Sequence, residues 1–382
     1  MLKEDAFDLA VPPCAILLVQ KFSSLGGSQR SLIYHLELLD RRRFQPMVLT
    51  SNRGWMTEEL DRLGIPWQML PFYHWTNPLY LPRNLQLVYR LYRLIKQHRI
   101  RLLHANEHWL APQCLLAARL AGIPVICHFR TGLADLTPRR IREYLYGRFD
   151  RVVVVAEVLR RALLPHVPYP ERVQVVRDGV PLPATPAVFH PQRRSRILIN
   201  IGAIYPVKGQ ALIFERLLPW LRGCRKNFLF YVGDNRSRPE YVVQLKETVL
   251  RHGLQKQVLF LGSRRDTEKL LQAADGLIAY STVEGVPRVV MEAMMASRPV
   301  WVSCTPGMEE VVIPGQVGHI LDFHGDDHSL PTSLDLLRRD YSECEAMGRR
   351  ARLLAEQQFS TQAMSHALET LYSQLLEKEC HG

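Results

Sequence analysis

The sequence predicts an α/β protein made of two doubly wound domains. Apolar, strand-like runs alternate with helical patterns from residue 15 to residue 155, stop at a proline-rich stretch, and begin again at residue 196. That alternation is typical of a parallel sheet covered by helices on both faces. A chain of 382 residues is also long enough to form two cores. We expect a first domain at residues 1–185, a second at 196–358, and at 359–382 a C-terminal helix that could pack back on the first.

In the first half, residues 15–20 (AILLVQ) predict a buried strand, and Gly26 and Gly27 separate it from a helix at residues 28–39. A further helix is expected at residues 84–98, where apolar side chains recur at helical spacing. The remaining elements expected here are strands at residues 46–50, 66–70, 102–104, 125–128 and 152–155, with helices between them.

Residues 181–191 contain four prolines and are followed by a polar, basic stretch, which is the composition of a linker. Beyond it we expect strands at residues 196–202, 227–232, 258–261, 276–280 and 299–303, and helices at 210–220, 238–253, 267–273, 287–296, 340–357 and 360–378. Open α/β sheets bind ligands outside the carboxyl ends of their strands. We therefore expect function in the loops after the strands, around one cleft between the domains.

Composition narrows the class of protein. Apolar residues make up 47% and charged residues 23%, as in globular rather than disordered chains. No apolar run reaches the roughly 18 residues of a membrane helix, and the N-terminus lacks the pattern of a secretory signal, so we expect a cytoplasmic location. The seven cysteines show no C-x-x-C spacing, which favours free thiols over disulfides or a zinc site.

The strongest motif is EGVPRVVMEAM at residues 284–294. Glu284 follows a predicted strand, and Pro287 suits the first position of a helix, where its missing N–H costs nothing. The helix N-terminus favours an anion such as a diphosphate, and Arg288 would add positive charge. Glu284 and Glu292, on either side, could accept hydrogen bonds from the hydroxyl groups of a sugar and a ribose. The alternative is that Glu284 caps the helix and Glu292 is a solvated helix residue.

The stretch from residue 258 to residue 312 resembles the retaining GT-B glycosyltransferases of family 4. The matching features, in order, are VLFLGS at 258–263, an Ala-Ala-Asp step at 273–275, LIAYS at 277–281, the motif at 284–294, SRPVWVS at 297–303, and Glu309 with Glu310. Weaker resemblance covers most of the chain, including residues 16–32, 151–164 and 173–180. The resemblance implies two Rossmann-like domains facing a central cleft, the first binding the acceptor and the second a nucleotide-sugar donor.

The resemblance also assigns roles to single residues. Glu284 would contact the transferred sugar and Glu292 the ribose of the donor nucleotide. The rest of the donor-binding loop would be Gly285, Val286, Pro287 and Arg288.

Two turns complete the site that the resemblance implies. Gly27 would let the backbone approach the donor phosphates or the acceptor, since no Cβ intervenes. Lys208, followed by Gly209, would neutralise the leaving diphosphate. Ala203 stands where the family often has an arginine, so a second positive charge would have to come from elsewhere; the candidates are Arg264, Arg265 and Arg288.

The acceptor side departs further from the family. Asn106 and Arg130 stand where relatives often have histidine. His108 and His128 therefore become the candidates for an acceptor-side catalytic group, and the alternative is that each is packed or solvated. His104 and His108 have a spacing that could suit a metal, but no third ligand is evident, so we expect neither a metal nor another cofactor.

The net charge of +12 lies mainly in the first half, where residues 1–190 hold 25 Lys+Arg against 15 Asp+Glu, while the rest holds 24 against 22. Basic side chains concentrate at residues 83–101 and at Arg139, Arg140 and Arg142. A solvated face is one interpretation. Attraction to an anionic membrane surface, where lipid-linked sugar acceptors reside, is the other. The second would make the protein peripheral on the inner face of a membrane.

The sequence thus predicts a retaining hexosyltransferase that uses a nucleotide sugar and a glycan or lipid-linked acceptor. An epimerase of the same fold, which would need no acceptor, is one alternative. Others are a non-catalytic relative, which Ala203 and Asn106 would suit, and a nucleic-acid-binding protein, which the charge would suit. Since no nucleic-acid-binding module is recognised in the sequence, we do not expect a nucleic-acid partner.

Overall fold

The computed structural model describes residues 12–130, 136–185, 188–234, 238–282, 287–322 and 329–379. The first half contains the strands β1 (Cys14–Val19), β2 (Phe44–Thr50), β3 (Trp67–Met69), β4 (Leu102–Ala105), β5 (Val125–Phe129), β6 (Arg151–Val154) and β7 (Val173–Val175). They form one parallel sheet in the order β3-β2-β1-β4-β5-β6-β7. The strands read as nearly continuous apolar runs because both faces of the sheet are covered.

Helices cover both faces of this first sheet. Its helices are α1 (Gly27–Leu38), α2 (Trp55–Arg62), α3 (Leu81–Gln97), α4 (Ala111–Ala121), α5 (Pro138–Glu143) and α6 (Glu157–Leu163). Side chains of α1 and α2 join the core on one face, and side chains of α3 to α6 join the core on the other. This arrangement follows from strand order, since the connection from β3 to β4 crosses back over the sheet.

The second half repeats the architecture. Its strands are β8 (Arg196–Ile201), β9 (Asn227–Val232), β10 (Val258–Gly262), β11 (Gly276–Ala279), β12 (Val300–Ser303) and β13 (Gly318–Leu321), in the parallel order β10-β9-β8-β11-β12-β13. Its helices are α7 (Gln210–Gly223), α8 (Pro239–Arg251), α9 (Thr267–Ala273), α10 (Arg288–Met295), α11 (Pro306–Glu309), α12 (Ser329–Arg339) and α13 (Tyr341–Gln358). The prediction of two doubly wound sheets is confirmed.

The chain passes between the halves twice, and the two passages are hydrogen-bonded together. The Val180 N–H donates to the Phe359 carbonyl at 2.8 Å, and the Thr361 N–H donates to the Val180 carbonyl at 3.2 Å. After the second passage, α14 (Thr361–Glu379) packs on α1. Leu371 and Tyr372 of this last helix are buried in the first core beside Ile16.

Strand order fixes where ligands can bind. In each sheet the order reverses at one point, between β1 and β4 in the first and between β8 and β11 in the second. Loops that leave adjacent strands at such a point diverge to opposite faces and open a crevice at the carboxyl edge. The crevice of the first sheet is bordered by Gly27 and Asn106, and that of the second by Lys208 and Thr282.

Candidate functional site

The turn after β8 lies against the strand end that leads into the main motif. Gly209 has a φ of +55°, and a Cβ at this position would lie 2.1 Å from the ring of Tyr280, so only glycine fits. The Thr282 N–H donates to the Val207 carbonyl at 3.2 Å. The structure therefore brings Lys208 and Gly209 next to Tyr280 and Thr282, just before the motif in sequence. Glu284, Gly285 and Val286 lie outside the described residues.

Pro287 caps α10, since its carbonyl accepts hydrogen bonds from the N–H groups of Val290 at 2.9 Å and Met291 at 3.2 Å. The helix begins one residue later than predicted, at Arg288. In sequence Pro287 lies five residues after Thr282, which is hydrogen-bonded to the Lys208 turn. The two features that could hold a diphosphate, a helix N-terminus and a lysine, lie on the two sides of one crevice.

The Arg288 side chain reaches across the cleft. Its Nη1 donates to the Ser31 hydroxyl at 2.9 Å and to the Gly179 carbonyl at 3.1 Å. A Cβ added at Gly27 would lie 3.4 Å from the Arg288 Cδ, so α1 and α10 are in contact here. Nη2 is buried and finds no hydrogen-bond partner within the described ranges. Arg288 thus connects α10, α1 and the first passage between the halves.

Glu292 lies one helical turn further along α10, in the wall of a cavity of about 550 Å³. The cavity is bounded by α1, the linker and α9, and its charged or aromatic lining residues include Arg30, Tyr34, Arg265 and Glu268. Burial raises the pKa of the Glu292 carboxyl, and the nearby Arg288 and Arg30 offset this only in part. A carboxylate in such a wall can accept hydrogen bonds from hydroxyl groups of a ligand.

The three arginines that could replace the missing charge at Ala203 differ in their surroundings. Arg264 makes two hydrogen bonds to Asp266, at 2.7 and 2.8 Å. Arg288 is committed to Ser31 and Gly179. Arg265 is exposed at the cavity wall and makes no ion pair with any residue that the structure describes. Of the three, Arg265 and the Nη2 of Arg288, which has no hydrogen-bond partner among the described residues, could therefore bind an anionic ligand.

Glu107 is a carboxylate at the first crevice that the sequence analysis did not single out. Its Oε1 accepts hydrogen bonds from the Gln20 amide at 2.5 Å and the Ser28 hydroxyl at 3.1 Å. Its Oε2 is buried without a hydrogen-bond partner in the described part of the chain. Burial raises the pKa of this carboxyl group. The available signal was its position, directly after Asn106 at the end of β4, where the family pattern places functional residues.

His128 lies beneath Arg130 rather than at the cleft surface. It is fully buried, stacks on His104, and has its Nδ1 3.1 Å from Arg130 Nη2. Burial, then the Arg130 charge, hold the pKa of His128 well below its usual value, so the ring is neutral. Arg130 forms a buried ion pair with Asp178 and donates to the Asn106 side chain at 3.0 Å. His128 thus supports Arg130, and its action on an acceptor stays a prediction.

His108 packs in an aromatic cluster. Its ring centroid lies 4.0 Å from that of Trp109 and 4.8 Å from that of Phe129, with Tyr144 edge-on. Burial lowers the pKa of His108 to about 3, and its Nε2 has no described hydrogen-bond partner. No described carboxylate orients the ring, as a general base normally requires. The packed alternative therefore fits the geometry of His108 better, and its catalytic role stays a prediction.

Within the ranges that the structure describes, no group of three or more His, Cys, Asp or Glu side chains is placed to hold a metal ion. Within the same ranges, no helix combines the length and apolarity needed to cross a bilayer.

Comparison with known families decides the identity. The model of Glycosyltransferase Family 4 matches residues 25–182, and that of Glycosyl transferases group 1 matches residues 186–354. The chain is a group 1 glycosyltransferase. The two models meet at the linker, so the glycosyltransferase consists of one family module in each half.

Curated relatives of this glycosyltransferase include an Escherichia coli UDP-Gal:α-D-GlcNAc-diphosphoundecaprenol α-1,3-galactosyltransferase. It is 24% identical over 317 residues, which are 75% of this chain and 78% of the relative. The N-acetyl-α-D-glucosaminyl L-malate synthase of Bacillus anthracis is 29% identical over 212 residues, which are 56% of this chain and 53% of that protein.

Solved structures show the same fold. Anabaena HepE in complex with UDP superimposes with a TM-score of 0.81 at 20% identity, over 95% of this chain and 100% of that one. A glycosyltransferase from Rickettsia africae gives a TM-score of 0.82 at 18% identity, over 95% of this chain and 99% of that one. The prediction of a GT-B fold is confirmed.

Proposed function

We propose that this glycosyltransferase transfers a hexose from a UDP-sugar to a hydroxyl group of a glycan precursor carried on a lipid diphosphate. Two relatives support the choice of substrates. The E. coli relative is named for a UDP-galactose donor and a diphosphoundecaprenol acceptor, and Anabaena HepE was solved with UDP. The observation that carries the proposal is the cavity between α1, the linker and α9, which is walled by Glu292 of α10 and by Arg265.

In the proposed reaction the leaving UDP is held by Lys208 and by the N-terminus of α10. Positive charge aimed at the leaving oxygen lowers the barrier because negative charge grows there as the bond to the sugar breaks. The acceptor hydroxyl would attack from the face of the departing diphosphate and pass its proton to the leaving phosphate oxygen as the bond from the sugar to the diphosphate breaks. Attack on that face retains the configuration of the anomeric carbon. Glu292 would bind the ribose of UDP, and Arg265 would supply the charge that the family usually takes from the position of Ala203.

We further propose that the reaction needs no divalent cation, because protein groups take over the neutralisation of the diphosphate. Transfer should continue at an unchanged rate in excess EDTA, measured as release of UDP. Loss of activity that Mg²⁺ or Mn²⁺ restores would contradict this part.

The test of the donor site is thermal unfolding with UDP-, GDP- and ADP-sugars, on the wild type, Glu292→Ala and the control Glu247→Ala. Glu247 is an exposed carboxylate on α8, away from the cavity. A ligand at 100 times its Kd stabilises the folded protein by about 2.7 kcal/mol. We expect UDP-sugars to stabilise the wild type and Glu247→Ala, and Glu292→Ala to lose most of the shift. No stabilisation by any nucleotide sugar would overturn the proposal.

A second measurement separates transfer from epimerisation and tests retention. Proton NMR of the reaction with a UDP-hexose should show a new glycosidic signal of the same anomeric configuration as the donor, and only when acceptor is present. A change in the sugar of free UDP-hexose without acceptor would favour the epimerase, and an inverted product would overturn retention.

A further inference from the structure

Two of the helices that cover the first sheet, α3 and α4, carry no carboxylate. Neither α3 nor α4 contains an Asp or Glu, and the whole stretch from residue 62 to residue 134 contains one, Glu107, against nine Lys+Arg. Glu107 is turned inward to Gln20 and Ser28. The positive charges of α3 and α4 are therefore not offset by any carboxylate of these two helices.

The same face exposes apolar side chains in a regular row. Leu81, Leu85 and Tyr89 lie four residues apart on α3 and are 53%, 55% and 57% exposed, and Leu79, just before the helix, is 83% exposed. The opposite stripe of α3, which includes Leu91, is buried in the core. The helix thus has two apolar sides, and no described part of the chain covers the outer one.

The row continues onto α4. The Lys96 ammonium donates to the Ala121 carbonyl at 2.9 Å, which brings the ends of the two helices together, and Leu120 beside it is 66% exposed. Arg93 contacts the Tyr89 hydroxyl at 3.4 Å. The α3–α4 face is therefore made of exposed apolar side chains with cations directly beside them; its members are Leu79, Leu81, Leu85, Tyr89 and Leu120, with Arg83, Arg90, Arg93 and Arg119.

We propose that the α3–α4 face docks on the surface of an anionic phospholipid bilayer. A helix that displays leucine and tyrosine between arginines inserts the apolar groups at the boundary of the acyl chains, while the guanidinium groups bind lipid phosphates. In free solution the apolar side chains of this row stay exposed to water. A negatively charged bilayer satisfies both components of the face, because attraction to anionic lipid adds to the burial of apolar area.

Of the two basic regions that the sequence suggested, the charge distribution favours the one on α3 over the one on α5. On α5, Arg139 is paired with Glu143 at 2.7 Å, so part of its charge is neutralised within the helix. On α3, by contrast, the described structure contains no ion pair to Arg83, Arg90 or Arg93. Arg119 of α4 is the member of the face that does have an acidic neighbour, Asp150, at 3.1 Å.

The position of the α3–α4 face relates membrane docking to the proposed acceptor. Only this part of the inference rests on the proposed function. The strand β3 ends at Met69 at the carboxyl edge of the sheet, and α3 runs back from that edge. Leu79 and Leu81 therefore lie on the carboxyl-edge side of the first sheet, the side on which its crevice opens. Docking through this face would bring the acceptor side of the cleft next to the bilayer that carries a lipid-linked precursor.

The test is co-sedimentation of the full chain with vesicles of phosphatidylcholine alone or with 30% phosphatidylglycerol. The variants are Leu85→Ser/Tyr89→Ser, which removes apolar area, and Arg90→Gln/Arg93→Gln, which removes charge. Matched controls are Val243→Ser/Leu250→Ser, an equally exposed apolar pair on α8, and Arg139→Gln/Arg142→Gln on α5. We expect the partition coefficient on anionic vesicles to fall at least tenfold for each α3 variant and less than twofold for the α8 control.

Several results would overturn the proposal. The first is that the wild type binds neutral and anionic vesicles equally. The second is that both α3 variants bind anionic vesicles as strongly as the wild type does. The third is that only the α5 variant loses binding. Sedimentation velocity showing a wild-type dimer that Leu85→Ser/Tyr89→Ser dissociates, without any change in vesicle binding, would make the face an interface between chains instead. Thermal shifts with UDP-sugars should be the same in all variants, so a failure of docking is distinguishable from a failure of the donor site.

Discussion

Two carboxyl groups at the cleft, those of Glu107 and Glu292, have pKa values that burial raises above the usual value. In Glu107 one oxygen accepts two hydrogen bonds, while the other is buried without a described partner. A buried polar atom in that state costs about 1–3 kcal/mol. Such a group is more costly to the fold when charged than when neutral, which is typical of side chains that act on a ligand.

This predicts a pH-dependent effect of Glu107→Gln. Because the folded-state pKa is raised, the folded protein binds the proton more tightly than the unfolded chain does, so ionisation lowers stability as pH rises above the ordinary value of 4.5. The amide keeps the shape and removes the charge. We expect a free energy of unfolding in urea higher than that of the wild type at pH 7.5, by about 1 kcal/mol. The difference should shrink as pH falls towards 5.

The control for this prediction is Glu247→Gln on the exposed side of α8, which should leave the stability unchanged at both pH values. A Glu107→Gln protein less stable than the wild type at pH 7.5 would mean that the carboxylate gains more from its partners than burial costs.

At the scale of single elements, the turn between β8 and α7 depends on one glycine. Gly209 has a left-handed backbone conformation, and a Cβ added to it would overlap the ring of Tyr280. Gly253 also has a left-handed conformation, with a φ of +70°, but no atom lies within 4 Å of the position of an added Cβ. The two positions therefore separate backbone strain from steric overlap. The left-handed conformation costs an alanine about 1–2 kcal/mol, and overlap in a packed site adds about 1–3 kcal/mol.

We predict that Gly209→Ala lowers the free energy of unfolding by about 2–4 kcal/mol and that Gly253→Ala lowers it by about 1 kcal/mol. Because the turn holds Lys208, Gly209→Ala should also reduce the thermal shift given by UDP-sugars, and Gly253→Ala should not. Urea denaturation with and without ligand measures both effects. Equal destabilisation by the two substitutions would show that the Tyr280 contact is relieved at no cost.

At the scale of the whole molecule, the last helix belongs to the first core although it follows the second half in sequence. Leu371 of α14 is buried beside residues of β1 and α1, while Leu334 of α12 is buried in the second half. Truncating a buried leucine to alanine costs about 2–5 kcal/mol. The half of the molecule that is destabilised should therefore be the half whose core loses the side chain, wherever the leucine stands in the sequence.

We predict that Leu371→Ala accelerates amide hydrogen exchange in β1, β2 and α1, more than 300 residues away in sequence, and leaves β8 and β9 unchanged. Leu334→Ala should give the reverse pattern. Exchange measured by mass spectrometry at peptide level distinguishes the two. Acceleration confined to α14 and its neighbours in sequence would show that the helix is not part of the first core.

The sequence by itself determined the alternation of strands and helices, the linker, the two doubly wound sheets and the family motif, because period and turn chemistry are local properties. It missed β7 and β13, which lie at sheet edges and are three and four residues long. The predicted site residues Lys208 and Gly209 lie beside Tyr280 and Thr282 at the crevice between β8 and β11, since the carboxyl ends of adjacent parallel strands lie at the same edge.

Only the tertiary structure decided which residues from distant parts of the sequence contact each other. Arg288 bonds to Ser31, 257 residues away, His128 lies beneath Arg130, and Glu107 turns to Gln20. The buried stripe of α3 could be predicted from its spacing, but the outer row at Leu81, Leu85 and Tyr89 could not be told from core residues, since both sides of the helix are apolar. Helical spacing assigns residues to the faces of one element. Which face is covered depends on how distant elements pack, and that information is not local.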